Sequence, residues 1–137
     1  MTTDRHEHLV LLVDDQEEAR DALAMLLRNE GFAVREARDG QEALDALYDG
    51  PRPCLVVLDL MMPGMDGFEF LDEMRTRDSL QSVPIIVITG KDVTAEDRSR
   101  LNGHVVRVVQ KPGDGCSALL PEISRLVRAA ARLAEAA

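Results

Sequence analysis

Leu9-Val10-Leu11-Leu12-Val13 runs directly into Asp14-Asp15, and the same pattern returns three more times along the chain. Leu55-Val56-Val57-Leu58 ends at Asp59, Ile85-Ile86-Val87-Ile88 ends at Thr89, and Val105 to Val109 leads toward Lys111. Short aliphatic runs that are apolar at every position fit strands covered on both faces, as in a parallel sheet with helices on either side. In such a sheet the ligand crevice lies beyond the carboxyl ends of the strands. Three carboxylates, one hydroxyl and one ammonium are therefore expected to gather at one edge.

The segments between these runs supply the crossover helices. Gln16 to Glu30 puts Ala19, Ala22, Leu23, Leu26 and Leu27 on one helical face, and Gly31 stops it. Phe32 to Ala37 alternates as a strand. Asp39, with Glu42 three residues on, forms a capping box that opens a helix through Ala43, Leu44 and Leu47, and Gly50-Pro51-Arg52-Pro53 breaks the chain. Met62 to Gly67 reads as a turn-rich loop ahead of a helix carrying Phe68, Leu71 and Met74. Pro84 opens the fourth strand, and Thr94 with Asp97 caps a short helix that stops near Asn102-Gly103. A fifth strand is expected over about His104 to Val109, then a helix from Ser117 through Leu119, Leu120, Ile123, Leu126, Val127 and Leu133. Five β/α units make an α/β, three-layer, doubly wound fold with helices on both faces of the sheet. Residues 1–137 read as a single domain with its core over about 8–128. The Ala-rich residues 129–137 are the end of the last helix or the start of a connection.

Composition narrows the class of partner. Among 137 residues, 25 Asp and Glu outweigh 16 Lys and Arg for a formal charge of −9, which argues against a nucleic-acid phosphate backbone as a ligand. No apolar run approaches the roughly 18 residues that span a bilayer, and Met1 to Arg5 has no signal-type segment. The expectation is a cytoplasmic protein with no membrane contact. Cys54 and Cys116 lack metal or redox spacing and read as reduced thiols, and His6 and His8 read as a solvated tail.

Asp14, Asp15 and Asp59, brought within a few ångströms, would repel one another and call for a positive charge. Mg²⁺, with one or two direct carboxylates and several waters, suits such a site. Lys111 adds a compact fixed charge matched to a phosphate oxygen, and Thr89 adds a hydroxyl donor. Together these groups suit phosphoryl transfer, where catalysis is largely positioning and neutralisation of oxygens.

The set Val13-Asp14-Asp15, Leu58-Asp59-Leu60-Met61-Met62-Pro63-Gly64-Met65-Asp66-Gly67, Ile88-Thr89-Gly90 and Lys111-Pro112 resembles the receiver domain of two-component response regulators, over nearly the whole chain. Both single-domain chemotaxis-type receivers and the receivers of hybrid histidine kinases share it. The resemblance implies a flavodoxin-like sheet of strand order 2-1-3-4-5. It implies that Asp59 accepts a phosphoryl group from the phosphohistidine of a histidine kinase or phosphotransfer protein, as a phosphorelay signal to a downstream protein partner. Asp15, Asp59 and the backbone carbonyl of Met61 would hold Mg²⁺, and Asp14 would orient a metal-bound water or ligate more directly. Thr89 would turn toward the phosphoryl oxygen, Lys111 would pair with it, Gly90 would leave room above the acceptor, and the Lys111–Pro112 bond would be cis. Such a domain catalyses only its own phosphorylation and dephosphorylation and is not a turnover enzyme.

Each residue alone has a plainer reading. An acidic residue at a strand end is commonly a helix N-cap, Thr89 alone a strand residue, Lys111 alone a solvated charge, and Met61, Met62 and Met65 loop packing. Two features depart from the receiver pattern. Val108 stands where many receivers place an aromatic switch on the fifth strand, and Gly113-Asp114-Gly115 follows Lys111-Pro112 where an aromatic residue is common. A β-branched Val has neither the rotamers nor the reach for that swing. A pseudo-receiver that binds partners without phosphorylation stays open as an alternative. An Asp-nucleophile phosphatase is a further one, but it needs a second Asp where Met61 stands.

Overall fold

The computed structural model describes residues 8–80, 82–90, 92–101, 105, 107–110 and 120–136. Five strands form one parallel sheet: β1 (Leu9–Val13), β2 (Ala33–Ala37), β3 (Leu55–Leu58), β4 (Ile85–Thr89) and β5 (Arg107–Gln110), in the order β2-β1-β3-β4-β5. The connecting helices are α1 (Glu17–Asn29), α2 (Gly40–Asp49), α3 (Gly67–Arg75), α4 (Ala95–Leu101) and α5 (Leu120–Ala136). This is the doubly wound fold that the aliphatic runs predict.

Strand alternation divides the core in two. Leu11, Val13, Val56, Leu58, Ile85 and Val87 point to the face covered by α2, α3 and Leu101 of α4. Val10, Leu12, Leu55, Val57, Ile86 and Ile88 point to the other face, covered by α1 and by Ile123, Val127 and Ala130 of α5. Because both faces are dry, no polar residue interrupts β1, β3 or β4 before its carboxyl end. That confines the polar chemistry to one edge of the sheet.

Several local expectations shift. On α1 the buried residues are Leu23, Ala24 and Leu27, whereas Ala22 is exposed. The two alanines lie on either side of the apolar stripe's edge, where a side-chain pattern cannot discriminate. Among the described residues β5 extends to Gln110, one residue further than expected, and a single 3-10 turn (Asp78–Leu80) precedes β4. His8 is half-buried rather than part of a solvated tail, its ring set edge-on to Phe32 at 6.3 Å between centroids. Cys54 is half-buried. Lys111, Pro112, Gly113 to Gly115 and Cys116 lie outside the described residues, as does His6.

Candidate functional site

Register sets the site before any side chain contributes. Val13 pairs with Leu58, the Asp59 N–H donates to the Val13 carbonyl at 3.0 Å, and the Asp14 N–H donates to the Ala37 carbonyl at 3.0 Å. Asp14 and Asp59 thus leave adjacent strands level with each other. One carboxylate oxygen from each of Asp14, Asp15 and Asp59 lies within 4.8 Å of the other two. Asp14 and Asp59 are only 7% and 5% exposed, while Asp15 faces solvent. Two buried carboxylates at that separation repel by about 3 kcal/mol at an effective dielectric near 20.

Neither strand-end acid is a helix cap. Asp14 Oδ1 accepts the Gln16 N–H at 2.9 Å, and Asp59 Oδ1 accepts the Met61 N–H at 3.0 Å. Each carboxylate closes a tight turn on the residue two positions ahead. The residue at the N-cap of α1 is Gln16, whose side chain makes no capping bond. Octahedral Mg²⁺ with bonds of ~2.1 Å spaces its ligand oxygens by about 3 to 4 Å. Carboxylate oxygens within 4.8 Å of one another are close enough to share such a cation directly or through water, and a hard, oxygen-preferring cation suits the donor set.

The loop from Asp59 to Asp66 is tightly seated. Leu60 and Met62 are buried in the core on the α2–α3 face, while the Met61 side chain is 55% exposed. A Cβ added to Gly67 would stand 2.7 Å from Leu60 Cα and 2.8 Å from the Asp59 carbonyl oxygen, so only glycine lets α3 begin so close beneath the loop. Asp66 then caps α3 in a full capping box with Glu69, at 2.9 and 3.0 Å. The Asp66–Glu69 spacing is readable in the sequence but was hidden inside what reads as loop. Arg20 carries no such signal. Its Nη1 donates to the Asp14 carbonyl at 2.8 Å and its Nε pairs with Glu36 at 3.2 Å, bracing the acidic turn from behind.

Thr89 is fully buried at the end of β4, paired in register with Gln110 of β5. Leu58 pairs with Val87, so Thr89 stands just past the β3–β4 pairing, at the same edge as Asp59. Among the described residues, a Cβ on Gly90 would meet nothing within 4 Å. The expected capping box of α4 is present, with reciprocal Thr94–Asp97 bonds of 3.1 Å.

Comparison with known proteins agrees with this architecture. Residues 10–119 match the family described as the response regulator receiver domain. Response regulator MprA of Mycolicibacterium vanbaalenii is 40% identical over 104 residues, covering 75% of this chain and 43% of that protein. Sensory transduction protein RegX3 of Mycobacterium tuberculosis is 45% identical over 83 residues, covering 61% of this chain and 35% of that protein. The chain thus matches less than half the length of these relatives. The crystal structure of the Mn²⁺-bound form of response regulator Rcp1 superposes with a TM-score of 0.76 at 25% identity, covering 87% of this chain and 91% of that one. Strand order, level acidic strand ends and a family match over most of its length lead to one conclusion: the chain belongs to the receiver domain family of two-component response regulators.

Proposed function

We propose that residues 1–137 act as one phosphorelay receiver, accepting a phosphoryl group on Asp59 from the phosphohistidine of a histidine kinase or phosphotransfer protein. The observation that carries the reading is the gathering of Asp14, Asp15 and Asp59 within 4.8 Å at the carboxyl edge of the sheet. An Asp59 carboxylate oxygen attacks phosphorus, the P–N bond to imidazole breaks, and the imidazole nitrogen keeps the bonding pair and is protonated. Asp14, Asp15, Asp59 and the Met61 backbone carbonyl are the ligands we assign to Mg²⁺, which when bound supplies charge neutralisation for the carboxylates and the incoming phosphoryl oxygens. The Mn²⁺ in the similar Rcp1 structure is in keeping with a divalent site. Thr89 donates its hydroxyl to a phosphoryl oxygen, and Lys111 pairs with another. The change in Asp59 from carboxylate to acyl phosphate then shifts affinity for a protein partner. The reading carries a signalling module rather than a turnover enzyme, in the cytoplasm. The expectation of no nucleic-acid partner rests on the charge of these 137 residues alone.

Intact-mass measurement after incubation with acetyl phosphate and Mg²⁺ tests this directly. One added phosphate on the wild type and none on Asp59→Asn is the expected result. Equal labelling of the two proteins rejects Asp59, and no labelling of the wild type favours a phosphorylation-independent binding module.

A further inference from the structure

Met65, near the end of the acceptor loop, rests on the first turn of a helix that contributes no residue to the acidic cluster. A Cβ built on Gly40, the first residue of α2, would lie 2.8 Å from Met65 Cγ, 2.9 Å from the Met65 carbonyl oxygen and 3.0 Å from Met65 Sδ. The two side-chain atoms can swing aside. The carbonyl oxygen cannot retreat unless the loop backbone moves with it. Gly40 is buried, and its helix start is itself fixed, because Asp39 Oδ1 accepts the Glu42 N–H at 2.8 Å. Glycine is a poor helix former, so its use here answers the close approach of Met65 and not the needs of α2. The loop from Asp59 to Asp66 is thereby held between two helix starts that each open with glycine, Gly40 on one side and Gly67 on the other.

We propose that Gly40 is a positioning residue for phosphoryl transfer: its missing side chain lets α2 seat Met65, and that seat fixes the backbone that carries Asp59 and Met61. The inference rests on the acceptor reading above. A single methyl group at position 40 therefore disturbs the reaction more than it disturbs the fold.

The test compares Gly40→Ala with Gly50→Ala in the full chain. Gly50 follows α2 at its other end, where a Cβ would run into the Arg35 guanidinium and lie 2.9 Å from the Ala46 carbonyl oxygen. It strains the same helix without approaching Asp59. Thermal midpoint, Mg²⁺ affinity and the rate of labelling by acetyl phosphate at saturating Mg²⁺ are measured for each. Gly40→Ala is expected to lose about tenfold in labelling rate, the scale of a sub-ångström misplacement of reacting groups, and to bind Mg²⁺ more weakly. Gly50→Ala is expected to lose thermal stability with its labelling rate close to wild type. Met65→Ala, which folds without any added bulk, is expected to slow labelling several-fold. In the double variant the carbonyl of residue 65 still stands 2.9 Å from the new methyl, so the loss caused by Gly40→Ala is expected to persist. Equal rates for the two glycine variants, or a wild-type rate in Met65→Ala, overturns the assignment of Gly40 alone. A wild type that takes up no phosphate overturns the acceptor reading and this inference with it.

Discussion

Gln110 Nε2 donates a 2.9 Å hydrogen bond to Asp92 Oδ1, tying the end of β5 to the loop that leaves Thr89. In sequence, Val108 predicts that phosphorylation is felt most between Gly90 and Gly103, with only small changes at Val106 to Val108. Val108 does pack against the α2–α4 side of the core, opposite Val87, with no aromatic ring to swing. The Asp92–Gln110 bond is a second, polar connection between the same two elements, and it starts three residues from the hydroxyl that we expect to move.

Gln110→Ala is therefore expected to uncouple β5 from the Thr89 loop. Both side chains are exposed, so the stability cost is at most about 1 kcal/mol. NMR shift mapping with a phosphoryl mimic should show changes at Arg107 to Gln110 in the wild type that shrink in the variant, while those at Gly90 and Asp92 persist. Unchanged β5 shifts in Gln110→Ala would show that the hydrogen bond carries no signal.

The acidic cluster makes a prediction whose sign depends on the metal. In chelator, removing Asp15 deletes one member of a like-charged group at an exposed position, so Asp15→Ala should melt at or above the wild-type temperature. With Mg²⁺ at about 100 times its dissociation constant the wild type gains about 2.7 kcal/mol, and the variant gains far less. A calorimetric titration in both buffers reads this crossover. Parallel Mg²⁺ shifts in the two proteins would place the cation elsewhere.

The strand ends were legible because burial on both faces leaves a parallel strand only one place to put a polar side chain. Asp14, Asp59 and Thr89 each follow an unbroken aliphatic run, and the structure puts all three at the carboxyl edge. Less legible were contacts that depend on how neighbouring elements dock. Gly40 reads as the residue after an N-cap, and only the approach of Met65 from a different loop gives it a task. Arg20 carries no signal of its own in the sequence. Its guanidinium spans from the Asp14 carbonyl to Glu36, across a strand boundary that no local periodicity encodes.

That bracing by Arg20 can be tested by its geometry. The side chain is only 15% exposed and makes two charge-assisted bonds, one to backbone and one to Glu36, which Arg28 also contacts at 3.3 Å. Arg20→Ala should cost about 1.5 to 3 kcal/mol in denaturant unfolding and weaken Mg²⁺ binding, because the Asp14 turn loses its support. Arg20→Lys should recover only part of either loss, since one ammonium cannot serve both directions of a planar guanidinium. Full recovery by lysine would reduce the role of Arg20 to net charge.

Beyond the acceptor loop, α3 is fastened to α4 by a small cluster whose removal should have a local signature. The Arg100 guanidinium carbon lies 4.2 Å from the ring centroid of Phe68, the second residue after the Asp66 cap. Arg75 Nη2 donates to the Arg100 carbonyl at 2.6 Å, and Asp72 pairs with Arg75 at 3.3 Å and with Arg100 at 3.9 Å. Exposed ion pairs contribute little, and a cation over an aromatic face about 0.5 to 1 kcal/mol. Arg100→Ala should therefore lower global stability by only about 1 kcal/mol. Because α4 has seven residues and buries only Asp97 and Leu101, this contact adds to the burial of Leu101 in anchoring its C-terminal end. Amide exchange should accordingly quicken across Ala95 to Leu101 while Phe68 to Met74 keeps its protection. Arg100→Lys preserves the charge but not the flat stack on Phe68, so it should resemble the alanine variant more than the wild type. If exchange quickens equally in α3 and α4, the two helices unfold as one unit and Arg100 does not hold them separately.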